Sequence, residues 1–264
     1  MVFAKYKFFS AALGREVDTQ LILPTEEPKD AFDEKTYRRY PEEPLKVLYL
    51  LHGGFGCEED WLYMSRMASL LRKGNVMVVM PFAQNSYYQD LPYGARFWTF
   101  VSEELPVMIR KMFPHASTRR EDTYAAGLSM GGYGAWRLGL AKPENYAAVA
   151  SLSGVLDLKA RIAESKGELA ARGLKFSDYF LDEDDIGDAD LFTLMEKRAG
   201  EKEILPRFYM TVGTEDFVYR YNCTARDKMN ACGISYHYEE HPGRHEWEYW
   251  NRHIEGVLRW MKLI

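Results

Sequence analysis

Thr123-Tyr124-Ala125-Ala126-Gly127-Leu128-Ser129-Met130-Gly131-Gly132-Tyr133-Gly134-Ala135 is the stretch on which the reading of the fold turns. Its first part is a short apolar run, continuous rather than alternating, as in strands buried on both faces. Its second part carries Gly132, Gly134 and Ala135, small residues that open a helical pattern ending before Pro143. Between them, Gly127–Gly131 matches G-x-S-x-G. Strand, sharp turn and helix, with the serine at the turn, make up a nucleophile elbow. The turn forces unusual backbone angles on Ser129. The flanking glycines relieve the crowding where strand and helix approach.

Outward from this stretch the same rhythm repeats. Leu45–His52, Asn75–Pro81, Asp122–Leu128, Ala147–Leu152, Arg207–Gly213 and Ile234–Glu239 have the length and apolar content of strands. Helical patterns fall between and after them at Glu59–Leu71, Ser102–Phe113, Met130–Ala141, Tyr219–Ala231 and Glu246–Leu263. Gly233 is a candidate C-cap. Strands alternating with helices predict an α/β fold with a mostly parallel sheet, right-handed crossovers and helices on both faces. Val2–Pro24, with a turn signal at Gly14, predicts an antiparallel strand pair, and Thr25–Glu43 a polar connection. Asp157–Glu203 is longer and more charged than one crossover helix needs, so residues 157–203 are expected to form a helical, cap-like insertion in a single domain spanning 1–264.

Composition removes several classes of function. The chain has 264 residues and a net charge of −5, whereas a phosphate-tracking protein shows a basic surplus. Nucleic acid is therefore not an expected partner. No apolar run approaches the roughly 20 residues needed to span a bilayer, and no signal peptide is evident, so no membrane partner is expected. Cys57, Cys223 and Cys232 are too few and odd in number for a disulfide framework. A cytoplasmic location fits. Self-association into a homo-oligomer is compatible with the sequence, which leaves the oligomeric state open.

A serine hydroxyl needs a base beside it and a group to orient that base. In the α/β-hydrolase order the acid and then the histidine follow the serine, each after a late strand. Glu215 and Asp216 leave the Arg207–Gly213 strand, and the shorter Asp216 is preferred. His241 and His245 follow Ile234–Glu239, and His245, just ahead of the last helix, is preferred. The expected oxyanion donors are the Met130 amide and an amide of the His52-Gly53-Gly54-Phe55-Gly56 loop, Gly54 before Phe55. His52 reads as a brace for that loop.

The His52-Gly53-Gly54 loop, the Gly127–Gly131 elbow, the Gly213–Asp216 turn, Gly243–Trp247 and Ser102-Glu103-Glu104-Leu105-Pro106 together resemble the esterase D-like family of serine esterases. That family includes S-formylglutathione hydrolases, tributyrin-type acetyl esterases and feruloyl and acetyl-xylan esterases. The resemblance covers nearly the whole chain and implies an α/β-hydrolase fold. It implies Ser129 as nucleophile, Asp216 as acid and His245 as base, the last within a Gly-x-His-x-Trp setting matched by Gly243, His245 and Trp247. Arg244 departs from the small residue common there. The loop Asn85-Ser86-Tyr87-Tyr88-Gln89-Asp90 resembles one that borders substrate in the family.

The implied activity is hydrolysis of short-chain or aromatic acyl esters, such as acetyl or feruloyl esters of carbohydrates, through an acyl-enzyme, with a small-molecule ester as partner. Phe55, Trp61, Tyr87, Tyr88, Trp98 and Trp247 are the candidate substrate wall. Two rivals remain: thioester hydrolysis by the same triad, and a non-catalytic scaffold that only binds. No cofactor is expected. No metal is expected either: His237, His241 and His245 are spaced by four, but Pro242-Gly243 breaks any helix that would align them, and no His-Glu-x-x-His occurs.

Overall fold

The computed structural model describes residues 1–24, 43–72, 74–91, 94–171, 186–201 and 204–264. Strands β1 (Val2–Ser10) and β2 (Arg15–Leu23) form the N-terminal antiparallel pair. Strands β3 (Lys46–Leu51), β4 (Val76–Pro81), β5 (Thr123–Leu128), β6 (Ala148–Leu152), β7 (Arg207–Gly213) and β8 (Tyr236–His241) complete one sheet. Its order is β1-β2-β4-β3-β5-β6-β7-β8. β2 runs antiparallel to β4, and every pair from β4 to β8 is parallel. The helices are α1 (Asp60–Tyr63), α2 (Met67–Leu70), α3 (Phe97–Thr99), α4 (Leu105–Met112), α5 (Met130–Ala141), α6 (Leu158–Ala171), α7 (Leu191–Arg198), α8 (Tyr219–Cys232) and α9 (Trp247–Met261).

The period-two geometry of a strand sends alternate residues to opposite faces, and the sheet therefore supports two cores. Val47, Tyr49 and Leu51 of β3 join Ala125, Val149 and Phe208 under α4, α5, α7 and α8. Leu48 and Leu50 join Tyr124, Ala126, Ala150 and Tyr209 under Trp61, Met67 and the apolar side of α9. Both faces are covered, which explains why the central strands are continuously apolar. This is the α/β-hydrolase architecture that the elbow predicts.

Two helical expectations change. Glu59–Leu71 is not one helix but α1 and α2, interrupted where the Ser65 hydroxyl bonds back to the Trp61 carbonyl. The Ser102–Phe113 helix starts earlier, at Phe97, and passes through a π-turn at Phe100–Glu104 before α4. At the end of that turn, the Glu104 carboxylate accepts hydrogen bonds from the Ser10 hydroxyl and the Ala11 and Ala12 amides. It caps the turn of the β1–β2 hairpin. In the 157–203 segment, residues 172–185 and 202–203 lie outside the described residues. Of the rest, α7 starts at an N-cap where Asp190 accepts from the Phe192 amide, buries Leu191, Leu194 and Met195, and packs on α5 and α8.

Candidate active site

The loops leaving the C-terminal ends of β3, β4, β5, β7 and β8 converge at one end of the sheet. Ser129 stands between β5 and α5 with φ 53° and ψ −119°, a conformation that an L-residue holds only when its surroundings dictate it. Here they do. A Cβ on Gly127 would sit 2.4 Å from the Gly131 carbonyl carbon, and one on Gly131 would sit 2.3 Å from the Leu51 oxygen. The Ser129 amide donates to Leu152 O, and its carbonyl accepts from Tyr133 and Val155. The turn is thus locked from both sides. Phe55, Gln84, Tyr87, Tyr88 and Ser153, in the loops around Ser129, also have positive φ.

Three of the expected side chains come together. His245 Nε2 is 2.9 Å from Ser129 Oγ. His245 Nδ1 is 2.9 and 3.0 Å from the two oxygens of Asp216. A carboxylate only accepts, so Nδ1 carries the proton and Nε2 presents its lone pair to the serine. Asp216 is buried and also accepts from the Val218 amide, which fixes its plane. The runner-up acid, Glu215, turns away and accepts from the Gly243 amide. That bond holds its carboxyl below the usual range and braces the loop carrying His245. His241 does not reach the serine. Its ring stacks on His253 at 4.4 Å.

The glycine loop after β3 lies beside the serine: a Cβ on Gly53 would be 3.4 Å from Ser129 Cβ. Among the described residues the Gly54 amide donates no hydrogen bond. Met130 is the first residue of α5, so its amide has no carbonyl to bond within the helix. The Phe55 amide is engaged by Asn85 Oδ1 at 2.5 Å. His52 is the brace the sequence suggests. The Ala83 amide donates to its Nε2 at 3.0 Å, so its Nδ1 donates to Gly53 O at 2.7 Å. Burial pushes its pKa below the ordinary imidazole value, so it holds this neutral tautomer.

The expected aromatic wall divides. Phe55 is 70% exposed, while Tyr87, Trp98 and Trp247 are partly buried. Trp61 and Tyr88 are corrected: both are fully buried and face no substrate space. Each is held by its polar end, Trp61 Nε1 donating to Leu51 O and Tyr88 OH to His52 O. Trp98 is capped by the Arg137 guanidinium, 4.0 Å from the ring centroid, and Arg137 also bonds the Tyr88 carbonyl. One exposed aromatic escaped the sequence reading. Phe217, 54% exposed, stands with its ring centroid 4.5 Å from that of His245. The available signal is an apolar residue directly after Asp216 in an otherwise polar turn.

A parallel sheet with a strained serine between β5 and α5, and a histidine and a carboxylate after the last two strands, defines an α/β-hydrolase of the serine type. The Esterase family model matches residues 10–261. An acetyl esterase of Caldicellulosiruptor saccharolyticus is 34% identical over 269 residues, covering 100% of this chain and 99% of its own. Among solved structures, the fluorophosphonate-binding serine hydrolase FphF of Staphylococcus aureus superposes with a TM-score of 0.84 at 25% identity, covering 98% of each chain. The S-formylglutathione hydrolase FrmB of the same organism gives 0.81 at 24% identity, again covering 98% of each. The chain belongs to the Esterase family, in its esterase D-like branch, and is a carboxylic ester hydrolase. Among the described residues no helix is long and apolar enough to cross a membrane.

Proposed function

We propose that this esterase cleaves short-chain or aromatic acyl esters, acetyl and feruloyl esters of carbohydrates among them, with Ser129 as nucleophile, His245 as base and Asp216 as the acid that orients it. The observation that carries the reading is the unbroken hydrogen-bond line from Ser129 Oγ through His245 to a buried Asp216. The acetyl esterase relative supports the acyl class.

In the first step Ser129 Oγ attacks the ester carbonyl as its proton passes to His245 Nε2. The imidazolium formed is stabilised by Asp216, and the carbonyl oxygen becomes an anion facing the Gly54 and Met130 amides. His245 then returns the proton to the departing alcohol oxygen, leaving an acyl-serine. Water, deprotonated by the same histidine, releases the acid and restores the serine. Phe55, Tyr87, Trp98, Trp247 and Phe217 are the proposed substrate contacts. Thioesters would pass through the same groups, but Cys57 adds nothing to that rival, because burial pushes its thiol up.

Ser129→Ala is expected to lose about a millionfold in kcat on p-nitrophenyl acetate while keeping its melting temperature. A folded variant with undiminished turnover would sink the assignment. A panel of acetyl, butyryl, feruloyl and S-formylglutathione substrates decides the acyl class. A clear preference for long acyl chains would overturn it. Failure of a fluorophosphonate to label the wild type would revive the binding scaffold.

A further inference from the structure

Behind the loop that carries His245, a second group of side chains takes no part in the proposed reaction. β8 is an edge strand, and His237, Glu239 and His241 lie at alternate positions on one of its faces. α9 packs along that face. The His241 and His253 rings stack at 4.4 Å, and His237 lies 6.3 Å from Trp260. One ligand atom each from Glu239, His241 and His253 falls within 4.8 Å of the others. The spacing by four that points nowhere on a broken helix therefore has a different meaning on a strand. His237 and His241 share a face, and His253 of α9 supplies what the sequence spacing hides.

Three further features suit a cation. His253 Nε2 is buried and has no hydrogen-bond partner among the described residues, a state that calls for an explanation. Glu239 is already oriented, with Tyr209 OH donating to Oε2 at 2.7 Å and His237 Nε2 lying 2.8 Å from Oε1. Such outer partners fix the direction of a ligating carboxylate. Two imidazoles and a carboxylate are also a donor set that zinc accepts and that magnesium or calcium, which want oxygen, do not. Ligand atoms around tetrahedral zinc stand about 3.3 Å apart, so modest side-chain rotations close the group.

We propose that Glu239, His241 and His253 form a zinc-type divalent-metal site, distinct from the serine centre, that fastens β8 to α9 across the loop bearing His245. His241 lies at the end of β8 and His253 nearly two turns into α9, so an ion held here would tie together the two elements that the loop joins. His245 itself is committed to Asp216 and Ser129. The ion is structural and no reaction step passes through it.

The test uses the whole chain, stripped with chelator and titrated with zinc chloride by calorimetry slightly above neutral pH. One zinc per chain is expected, together with a rise in melting temperature. Cobalt(II) should give the intense visible bands of a tetrahedral site. Glu239→Gln and His253→Gln should each weaken zinc binding at least about tenfold. His115→Ala, on another part of the surface, should leave it unchanged, and Ser129→Ala should bind zinc like the wild type. A wild type that takes up no zinc overturns the site, as do Glu239→Gln and His253→Gln chains that bind as tightly as it does. If His253→Gln fails to fold by circular dichroism, Glu239→Gln carries the test. Loss of binding in Ser129→Ala would overturn the separation of the two sites.

Discussion

The two sides of the serine are built differently. On the side of the β3 and β4 loops, three ring side chains are pinned: His52, Trp61 and Tyr88 each spend a polar atom on a neighbouring backbone group and show almost no surface. On the side of the β7 and β8 loops, Phe217 is open, its ring lying beside His245 and the Arg161 guanidinium. The first side can hold backbone amides still, which oxyanion binding requires. The second side leaves exposed apolar surface beside His245. An aromatic residue near the serine is therefore a pin when its polar end has a buried carbonyl to satisfy, and a wall when it has none.

This contrast can be broken by mutation. The largest effect is expected at Asp216→Asn on the open side. It keeps the shape but replaces an acceptor-only carboxylate with an amide that can donate to Nδ1 and favour the wrong His245 tautomer, so kcat should fall about 10⁴-fold with little change in melting temperature. On the pinned side the cost should appear as stability. Tyr88→Phe leaves the His52 carbonyl without its donor and should cost about 1–3 kcal/mol, read from denaturant unfolding, with a smaller loss in turnover. Phe217→Ala should do the reverse, raising KM for aromatic acyl esters severalfold while stability stays within about 0.5 kcal/mol. If Phe217→Ala lowers stability more than Tyr88→Phe does, the division fails.

The smallest effect concerns pH and the pinned His52. Its folded pKa lies below the ordinary value, so the unfolded chain binds the proton first. The stability it contributes is whole above about pH 6.5 and is lost as the pH falls below that. Between pH of about 7 and about 5, the melting temperature of the wild type should therefore drop more than that of His52→Gln. Equal drops would mean that His52 is not held neutral.

Much of this was legible in the sequence. β5, α5 and β7 carry strong local signals, an apolar run closed by glycine and a small-residue helix, and the boundaries of Met130–Ala141 and Arg207–Gly213 coincide in sequence and structure. Strand order brings the serine, the acid and the histidine to the same end of the sheet, although it does not choose Asp216 over Glu215 or His245 over His241. What could not be read depends on partners far away in the chain. The Phe97 start of the α3–α4 helix was hidden because the π-turn that joins it to α4 is not a pattern of local propensity. The burial of Trp61 and Tyr88 depends on which backbone carbonyls the fold leaves unpaired. Phe217 shows its role only once His245 is beside it. The pairing of His241 with His253 requires knowing that β8 lies under α9.

The hydrogen-bond line from Ser129 to His245 spans 116 residues, and this bears on how the enzyme is made. Chains fold as they emerge from the ribosome. One that has been released only through Asp216 contains the proposed nucleophile and acid but lacks His245, the proposed acceptor of the serine's proton. The proposed base lies between β8 and α9, after the strand that completes the sheet. On the proposed mechanism, a chain not yet made as far as His245 has no base with which to attack the esters around it.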